Sequence, residues 1–217
     1  MQPGRENLIL NEQTLATAVE TLRAQSPVID RVAAQYGMPH PWMRKADFAA
    51  LVYAIIEQQV SLASARAVYE RVLTHVGELT PEAFRSISDA ELRAIGFSRQ
   101  KTGYCKGLAE TILSGDLDLD AFESASDEEV REELTAIKGI GNWTADVYLL
   151  HSLGRPDVWP VGDLALQIAV QEELELPGRP SQQELLEIGE EFRPLRSVAA
   201  RVFWQGYLVR RGINQVT

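Results

Sequence analysis

Hydrophobic and polar positions recur along most of this chain with the three-to-four-residue spacing of an α-helix. Residues 15–22 and 48–73 both follow that spacing, and no segment alternates convincingly in the way that a β-strand does. The longer segment contains Gln58, Gln59 and Ser61, three polar residues that predict a break between two helices. We therefore expect an all-α protein with about ten helices.

Several helix starts are marked by capping residues, whose side chains accept hydrogen bonds from the first free amides of a helix. Thr80 precedes Pro81, which suits the first helical position. Ser88 is followed three residues later by Glu91, the spacing of a capping box. Further helices are predicted over residues 99–114, from Ser126 to about residue 137, over residues 142–153 with Asn142 as the cap, from Asp163, from Ser181, and from Pro194 to about residue 210.

The charge of the chain is strongly acidic but unevenly distributed. The net charge of −10 argues against a nucleic-acid partner. Residues 116–133 contain nine acidic residues and one arginine, whereas residues 193–211 contain five arginines and no acid. A basic face can therefore be hidden by the total.

Composition bounds the class of protein further. The chain has 217 residues and is 45% hydrophobic, enough for one large or two small domains. A single cysteine, Cys105, excludes a disulfide framework and a four-cysteine zinc or iron–sulfur site. The first residues show neither a basic n-region nor a long apolar run, so we expect no signal peptide or membrane span and a cytoplasmic location. The three histidines are scattered and are interpreted as structural.

Residues 137–146, IKGIGNWTAD, place two glycines between two predicted helices. Gly139 and Gly141 permit a close backbone approach that a side chain would block. The helix that follows presents free N–H groups to an anion. Residues 127–153 thus form a helix-hairpin-helix pattern that can hold a DNA phosphate through its main chain, although the motif alone fits a plain helical turn equally well.

A loop rich in glycine and proline, residues 154–162, leads to Asp163 at the start of the next helix. Together with four other segments, this loop resembles the HhH-GPD superfamily of DNA glycosylases and, within it, the 3-methyladenine DNA glycosylase II (AlkA-like) branch. The resemblance covers about residues 48–206. Its matching segments are IIEQQVS at 55–61, GFS at 96–98 with Lys101, LTAIKGIGNWTA at 134–145, WPVGD at 159–163 and PLRSVA at 194–199.

The resemblance implies a two-lobed helical fold in the compact form, without an additional N-terminal β-domain. One lobe is expected to combine residues 1–61 and 154–217, and the other to span residues 62–153. A cleft between the lobes is expected to contain Asp163, Trp143 and Trp204.

The resemblance also implies roles for the residues of that cleft. Asp163 matches the catalytic aspartate, which would stabilise positive charge on the sugar and orient the attacking water. Trp143 stands where bifunctional relatives carry a nucleophilic lysine, so we expect a monofunctional enzyme that leaves an abasic site. Trp143 and Trp204 match pocket aromatics suited to cationic bases; ordinary core tryptophans are the alternative. Val147 replaces a pocket tyrosine, which would loosen the pocket.

Contacts to DNA are implied by the same motifs. Gln59 matches the wedge that fills the space left by a flipped base, with a helix-terminal polar pair as the alternative. The other expected DNA contacts are Ser98, Lys101, Lys138, Gly139, Gly141 and Thr144. A solvated helix face is the alternative for Ser98 and Lys101, and simple exposure is the alternative for Lys138. The resemblance also implies a monovalent cation, Na⁺ or K⁺, on the backbone carbonyls of Thr135, Ile137 and Ile140.

The resulting expectation is a monomeric DNA glycosylase for alkylated bases that acts on double-stranded DNA in base excision repair. It would require no cofactor and no iron–sulfur cluster, and in a bacterium it would associate with the nucleoid. Three alternatives remain from the residues alone: a non-catalytic DNA-binding module, a glycosylase for oxidised or mismatched bases, and a helical protein-interaction domain. The preferred alkylated base is not determined by the sequence.

Overall fold

The computed structural model describes residues 8–213, which contain twelve α-helices and no β-strand. The all-α class is therefore confirmed, with more helices than expected. In chain order the helices are α1 (Glu12–Gln25), α2 (Pro27–Tyr36), α3 (Phe48–Glu57), α4 (Leu62–Val76), α5 (Pro81–Ser86), α6 (Asp89–Ile95), α7 (Arg99–Leu113), α8 (Asp127–Thr135), α9 (Asn142–His151), α10 (Leu164–Glu173), α11 (Gln182–Gly189) and α12 (Arg196–Arg210). Two 3₁₀ turns lie at Asp120–Glu123 and Glu190–Phe192.

The capping residues occupy the positions that their spacing predicts. Capping boxes form at Ser88, Ser126 and Ser181, and Thr80 accepts a hydrogen bond from the Ala83 amide. Each such cap stabilises its helix by about 1 kcal/mol. These starts are therefore decided by local hydrogen bonding.

Two helix starts differ from the predictions. Asn142 is the first residue of α9, whereas it was expected to precede the helix as its cap. α12 begins at Arg196, two residues after the predicted Pro194, because the Leu195 amide donates to the Phe192 carbonyl at 2.7 Å and closes a separate turn.

The break predicted inside residues 48–73 separates α3 from α4. Gln59 adopts a left-handed conformation with φ of 57°, which an α-helix cannot continue through. The Ser61 hydroxyl then accepts the Ser64 amide and starts α4. The break is thus built from one left-handed residue and one cap.

The chain folds into two compact units. One unit combines the residues up to Met43 with those from Leu149 onward, and the other is Arg44–Tyr148. The predicted division grouped residues 44–61 with the chain termini and residues 149–153 with the central residues. The structure places 44–61 with the central residues, because α3 packs against α4 and α7, and places 149–153 with the chain termini.

α12 forms the centre of the first unit. It packs against α2, α10 and α1, and it is buried on most of its faces from Ser197 to Leu208. In the second unit, α5 packs on α7, and the Phe84 ring contacts those of Phe48 and Phe97 edge-on. Each unit therefore has its own apolar core, in which a buried phenylalanine or leucine contributes about 2 kcal/mol.

The arginine-rich stretch 193–211 does not form the basic face that its composition allowed. Arg193 and Arg196 pair with Asp157, and Arg210 and Arg211 pair with Glu172. The fifth, Arg201, is fully buried. These arginines serve the fold, so the acidic total is not offset by a basic patch at this segment.

Candidate active site and hairpin

The glycine turn, residues 136–141, joins α8 to α9. Gly139 has a φ of 97°, and a Cβ there would collide with the ring of Tyr104. Gly141 differs, since an added Cβ would meet no atom within 4 Å. Gly139 is therefore required by the fold, whereas Gly141 leaves open space beside the first amides of α9.

Gln58 ties the glycine turn to the end of α3. Its side-chain amide donates to the Gly139 carbonyl at 2.9 Å and to the Thr144 hydroxyl at 3.0 Å. Thr144, predicted as a phosphate contact, is only 2% exposed. Its hydroxyl thus holds the hairpin from inside, and Gln58, to which no contact was assigned, is the residue that links the two segments.

Lys101 has a similar internal role. Its ammonium donates to the carbonyls of Ile56 and Gln58, both at 2.8 Å, and burial lowers its pKa. This geometry gives Lys101 the role of closing the turn that precedes Gln59, and it departs from the predicted phosphate contact. Ser98 caps α7 through the Lys101 amide.

Four predicted contact residues do lie on the surface of the second unit. Gln59, Ser98, Lys138 and Gly141 are exposed, and Gln59 lies in the left-handed turn that Lys101 and Gln58 hold in place. Trp143 is partly exposed in the first turn of α9. Val147, at the position of the missing pocket tyrosine, is buried.

An ion pair joins the two helices of the hairpin. Arg131 of α8 donates to the carboxylate of Asp146 in α9 at 2.7 Å, and Asp146 is 7% exposed. A partly buried charge pair therefore links α8 to α9, and removing one partner would leave the other charge uncompensated.

In the first unit, Asp163 caps α10 and is partly exposed. One carboxylate oxygen, Oδ1, accepts the Leu166 amide at 2.7 Å and the Trp204 indole N–H at 3.0 Å. Two donors on one oxygen fix the plane of the carboxylate. The structure thus brings together two of the predicted site residues, Asp163 and Trp204.

The carboxylate loop, residues 154–163, is anchored to its own unit at several points. Gly154 has a φ of 63° and approaches the Leu10 carbonyl too closely to carry a Cβ. Trp159 is buried, and its indole donates to the Leu185 carbonyl at 2.8 Å. Ser197 of α12 bonds both the amide and the carbonyl of Val158. The backbone before Asp163 is therefore immobilised by contacts distant in sequence.

Trp204 belongs to an aromatic cluster that the sequence did not reveal. Its ring stacks on His151 at 5.6 Å and meets Trp42 nearly edge-on at 6.4 Å. Trp204 and His151 are each 9% exposed, whereas Trp42 is more open. No sequence motif contains Trp42, which lies in a segment between two predicted helices.

Comparison with known proteins identifies the family. Residues 52–194 match the family model described as HhH-GPD superfamily base excision DNA repair protein. The chain belongs to the HhH-GPD superfamily. The resemblance stated from the motifs is thereby confirmed, and it covers most of the region in which those motifs lie.

Several members of the HhH-GPD superfamily share about a third of their aligned residues with this chain. DNA-3-methyladenine glycosylase 1 of Schizosaccharomyces pombe is 34% identical over 75% of this chain and 73% of the relative. A putative DNA-3-methyladenine glycosylase of Bacillus subtilis is 30% identical over 71% of this chain and 57% of the relative. The solved structure of the S. pombe 3-methyladenine DNA glycosylase in complex with abasic DNA aligns with a TM-score of 0.81 at 32% identity, covering 87% of this chain and 95% of that one.

Two further observations concern the part of the chain that the structure describes. Within residues 8–213, no helix has both the length and the apolar character to cross a membrane. In the same range, no group of three or more His, Cys, Asp and Glu side chains is placed to hold a metal ion.

Proposed function

We propose that this HhH-GPD protein is a monofunctional DNA glycosylase that excises alkylated bases from double-stranded DNA and leaves an abasic site. The observation that carries the proposal is Asp163, whose carboxylate is oriented by the Leu166 amide and the Trp204 indole. Relatives named 3-methyladenine DNA glycosylases support the class of substrate. The expected bases are those of the 3-methyladenine and 7-methylguanine class.

The chemistry requires one well-placed carboxylate. Breaking the N-glycosidic bond leaves the bonding electrons with the base and builds positive charge on the sugar, which an ionised carboxylate stabilises. Water then attacks the sugar carbon and loses a proton, for which the carboxylate is the acceptor. Because N-alkylated purines already carry positive charge, they depart without a strong general acid.

The monofunctional assignment depends on whether a side-chain amine near the hairpin could attack the sugar. The position in the first turn of α9 is Trp143, which has no amine to form a Schiff base. Lys101 is engaged by two backbone carbonyls, and Lys138 lies on the glycine turn. We therefore expect no strand cleavage by the protein itself.

DNA binding is proposed to occur through the hairpin and the turn before α4. The first amides of α9, beside the open space at Gly141, would bind a phosphate with little need for basic side chains. Lys138 would add one charged contact. Gln59, exposed on a held left-handed turn, is the proposed wedge.

The monovalent cation implied by the family would be held by the carbonyls of Thr135, Ile137 and Ile140. Neutral oxygen ligands suit a weakly held Na⁺ or K⁺. The Ile137 carbonyl accepts the Ile140 amide at 3.1 Å, and a carbonyl has a second lone pair for an ion. When bound, the ion would add positive charge near the phosphate.

A single experiment tests the reaction and its catalytic group together. A duplex with one 7-methylguanine is incubated with purified protein and then treated with alkali, which cleaves abasic sites. We expect cleavage only after alkali, and a loss of about 100-fold or more in Asp163→Asn. Asparagine remains a good helix cap, so the loss would report the carboxylate and not the fold.

Asp47 offers the matched control. It caps α3 through the Ala50 amide at 3.0 Å, so Asp47→Asn makes the same chemical change at a cap without a proposed catalytic role. Strand cleavage before alkali would contradict the monofunctional assignment. DNA binding without release of any alkylated base would instead indicate a non-catalytic module.

A further inference from the structure

Trp42 lies in the turn at residues 40–43, between α2 and α3, which we call the Trp42 turn. Its φ is 45°, a left-handed conformation that is uncommon for a bulky residue. Its amide donates to His40 Nδ1 at 3.0 Å. A strained conformation of this kind persists only where surrounding contacts impose it.

Arg201 of α12 supplies those contacts. Its side chain donates to the Pro41 carbonyl at 3.1 Å and lies 3.7 Å from the Met43 sulfur, so it reaches both neighbours of Trp42. It also donates to the Leu150 carbonyl at 2.8 Å and to the Ser197 carbonyl at 3.3 Å. The guanidinium therefore joins the Trp42 turn to the end of α9 and to α12.

Burying the Arg201 guanidinium carries a free-energy penalty that its hydrogen bonds must offset. Arg201 is 0% exposed, and within residues 8–213 its hydrogen bonds go to carbonyls and a thioether, with no carboxylate among them. Burial lowers its pKa to about 9, which still leaves it charged at neutral pH. Burying an unpaired charge is expensive, and here the compensation comes from carbonyls that define the Trp42 turn.

The three rings of the aromatic cluster, Trp42, His151 and Trp204, differ in their contacts and in their exposure. Trp204 donates its indole N–H to Asp163 and is covered on one face by His151. Trp42 meets both Trp204 and His151 nearly edge-on. Trp42 is the most exposed of the three rings. It contacts Trp204, which in turn donates to the Asp163 carboxylate. An aromatic face with accessible surface is what a flipped base requires for stacking.

We propose that Trp42 is the stacking surface for the flipped alkylated base, that Trp204 orients Asp163, and that Arg201 is a positioning residue that holds Trp42. This inference rests on the proposed function, since it specifies how the same site receives its base. It also moves the stacking role in this unit from Trp204, expected from the motifs, to a residue outside them.

A binding measurement tests the stacking directly. The chain contains four tryptophans, so protein labelled with 5-fluorotryptophan gives four ¹⁹F NMR signals, each assigned by a single Trp→Phe variant. On titration with 7-methylguanosine, we expect the Trp42 signal to move and the Trp159 signal to stay. Trp159 is the matched control because it is 5% exposed and bonded to Leu185. A stationary Trp42 signal would overturn the proposal.

Single-turnover excision of 7-methylguanine tests the consequence. We expect Trp42→Ala to slow excision about tenfold or more and Trp42→Phe to retain most of the rate. Binding of both variants to a duplex with a tetrahydrofuran abasic analogue, which has no base to stack, should be unchanged. A normal rate in Trp42→Ala would overturn the stacking role and leave the glycosylase proposal intact. A moving Trp42 signal in a protein that excises nothing would do the reverse.

The role of Arg201 has its own readout. In Arg201→Met, we expect the Trp42 signal of the free protein to shift or broaden and its response to 7-methylguanosine to disappear, while the Trp159 signal remains sharp. If that variant does not fold, Arg201→Lys serves, since lysine cannot bond all of the carbonyls that the planar fork reaches. An unchanged Trp42 signal in a folded variant would show that Arg201 does not position the turn.

Discussion

At the scale of single residues, the two glycines of the IKGIGNWTAD segment occupy their positions for different physical reasons. Gly139 is required because its backbone is left-handed and the Tyr104 ring occupies the space of a Cβ. Gly141 meets neither condition. The motif predicted both as positions of close approach to DNA, and only the tertiary structure separates a packing requirement from open space.

Gly139→Ala and Gly141→Ala form a matched pair that exposes this difference. We expect Gly139→Ala to lower the free energy of unfolding by more than about 2 kcal/mol, because the strained backbone and the steric conflict add. Gly141→Ala should change it by less than about 0.5 kcal/mol and should weaken DNA binding, because a methyl group would obstruct the phosphate. Urea denaturation and fluorescence anisotropy with a duplex measure the two effects. Equal decreases in stability would refute the distinction.

At the scale of elements, α12 organises the candidate active site. Arg196 and Ser197 bind the carboxylate loop at Asp157 and Val158, Arg201 binds the Trp42 turn, and Trp204 reaches Asp163. The four residues follow one another along a single helix. The motif PLRSVA was recognisable in sequence, but its physical purpose is to present donors to backbone segments far away in the chain.

Ser197 tests the importance of that anchoring. It is fully buried, and its hydroxyl bonds the Val158 amide at 2.9 Å and the Val158 carbonyl at 3.2 Å. Ser197→Ala should reduce the free energy of unfolding by about 1–3 kcal/mol, because it leaves buried backbone groups unsatisfied. The control is Ser86→Ala, which removes a hydroxyl bond on an exposed helix end and should cost less than about 0.5 kcal/mol. Thermal and urea unfolding compare the two; similar decreases would show that the loop is anchored elsewhere.

At the scale of the whole molecule, a net charge of −10 constrains how this protein meets DNA. The arginines at 193–211 are committed to ion pairs or buried, and Lys101 is committed to backbone carbonyls. We therefore propose that main-chain amides of the hairpin, with a few side chains such as Lys138, bind the phosphates. Such an interface has a shallow salt dependence compared with that of a basic protein.

The salt dependence separates the two lysines. For binding to double-stranded DNA, log K for association decreases linearly with the logarithm of the salt concentration. The slope becomes less steep by about 0.9 for every phosphate that a basic side chain no longer neutralises. We expect Lys138→Ala to make the slope less steep by about that amount and Lys101→Ala to leave the slope unchanged. Lys101→Ala should instead destabilise the left-handed turn at Gln59, because it removes the hydrogen bonds to the Ile56 and Gln58 carbonyls. Binding to one duplex at several salt concentrations gives both slopes. A reduced slope in Lys101→Ala would restore it as a phosphate contact.

Local chemistry accounts for what the sequence alone determined. Caps at Thr80, Ser88, Ser126 and Ser181, the break at Gln59 and the glycine turn depend on residues within a few positions of one another, so their spacing predicts them. Asp163 was predicted as the catalytic residue from a motif that is also local, residues 159–163. The boundaries of the two units were placed differently by the structure, since they depend on which helices pack together.

Long-range contacts account for what only the tertiary structure decided. The bonds from Trp204 to Asp163, from Lys101 to Ile56 and from Arg201 to Pro41 span 41, 45 and 160 positions. No spacing rule encodes such pairs, because they arise where packed helices bring donors and carbonyls together. Trp42 enters the candidate site for that reason alone: its ring is placed by a buried arginine on the last helix.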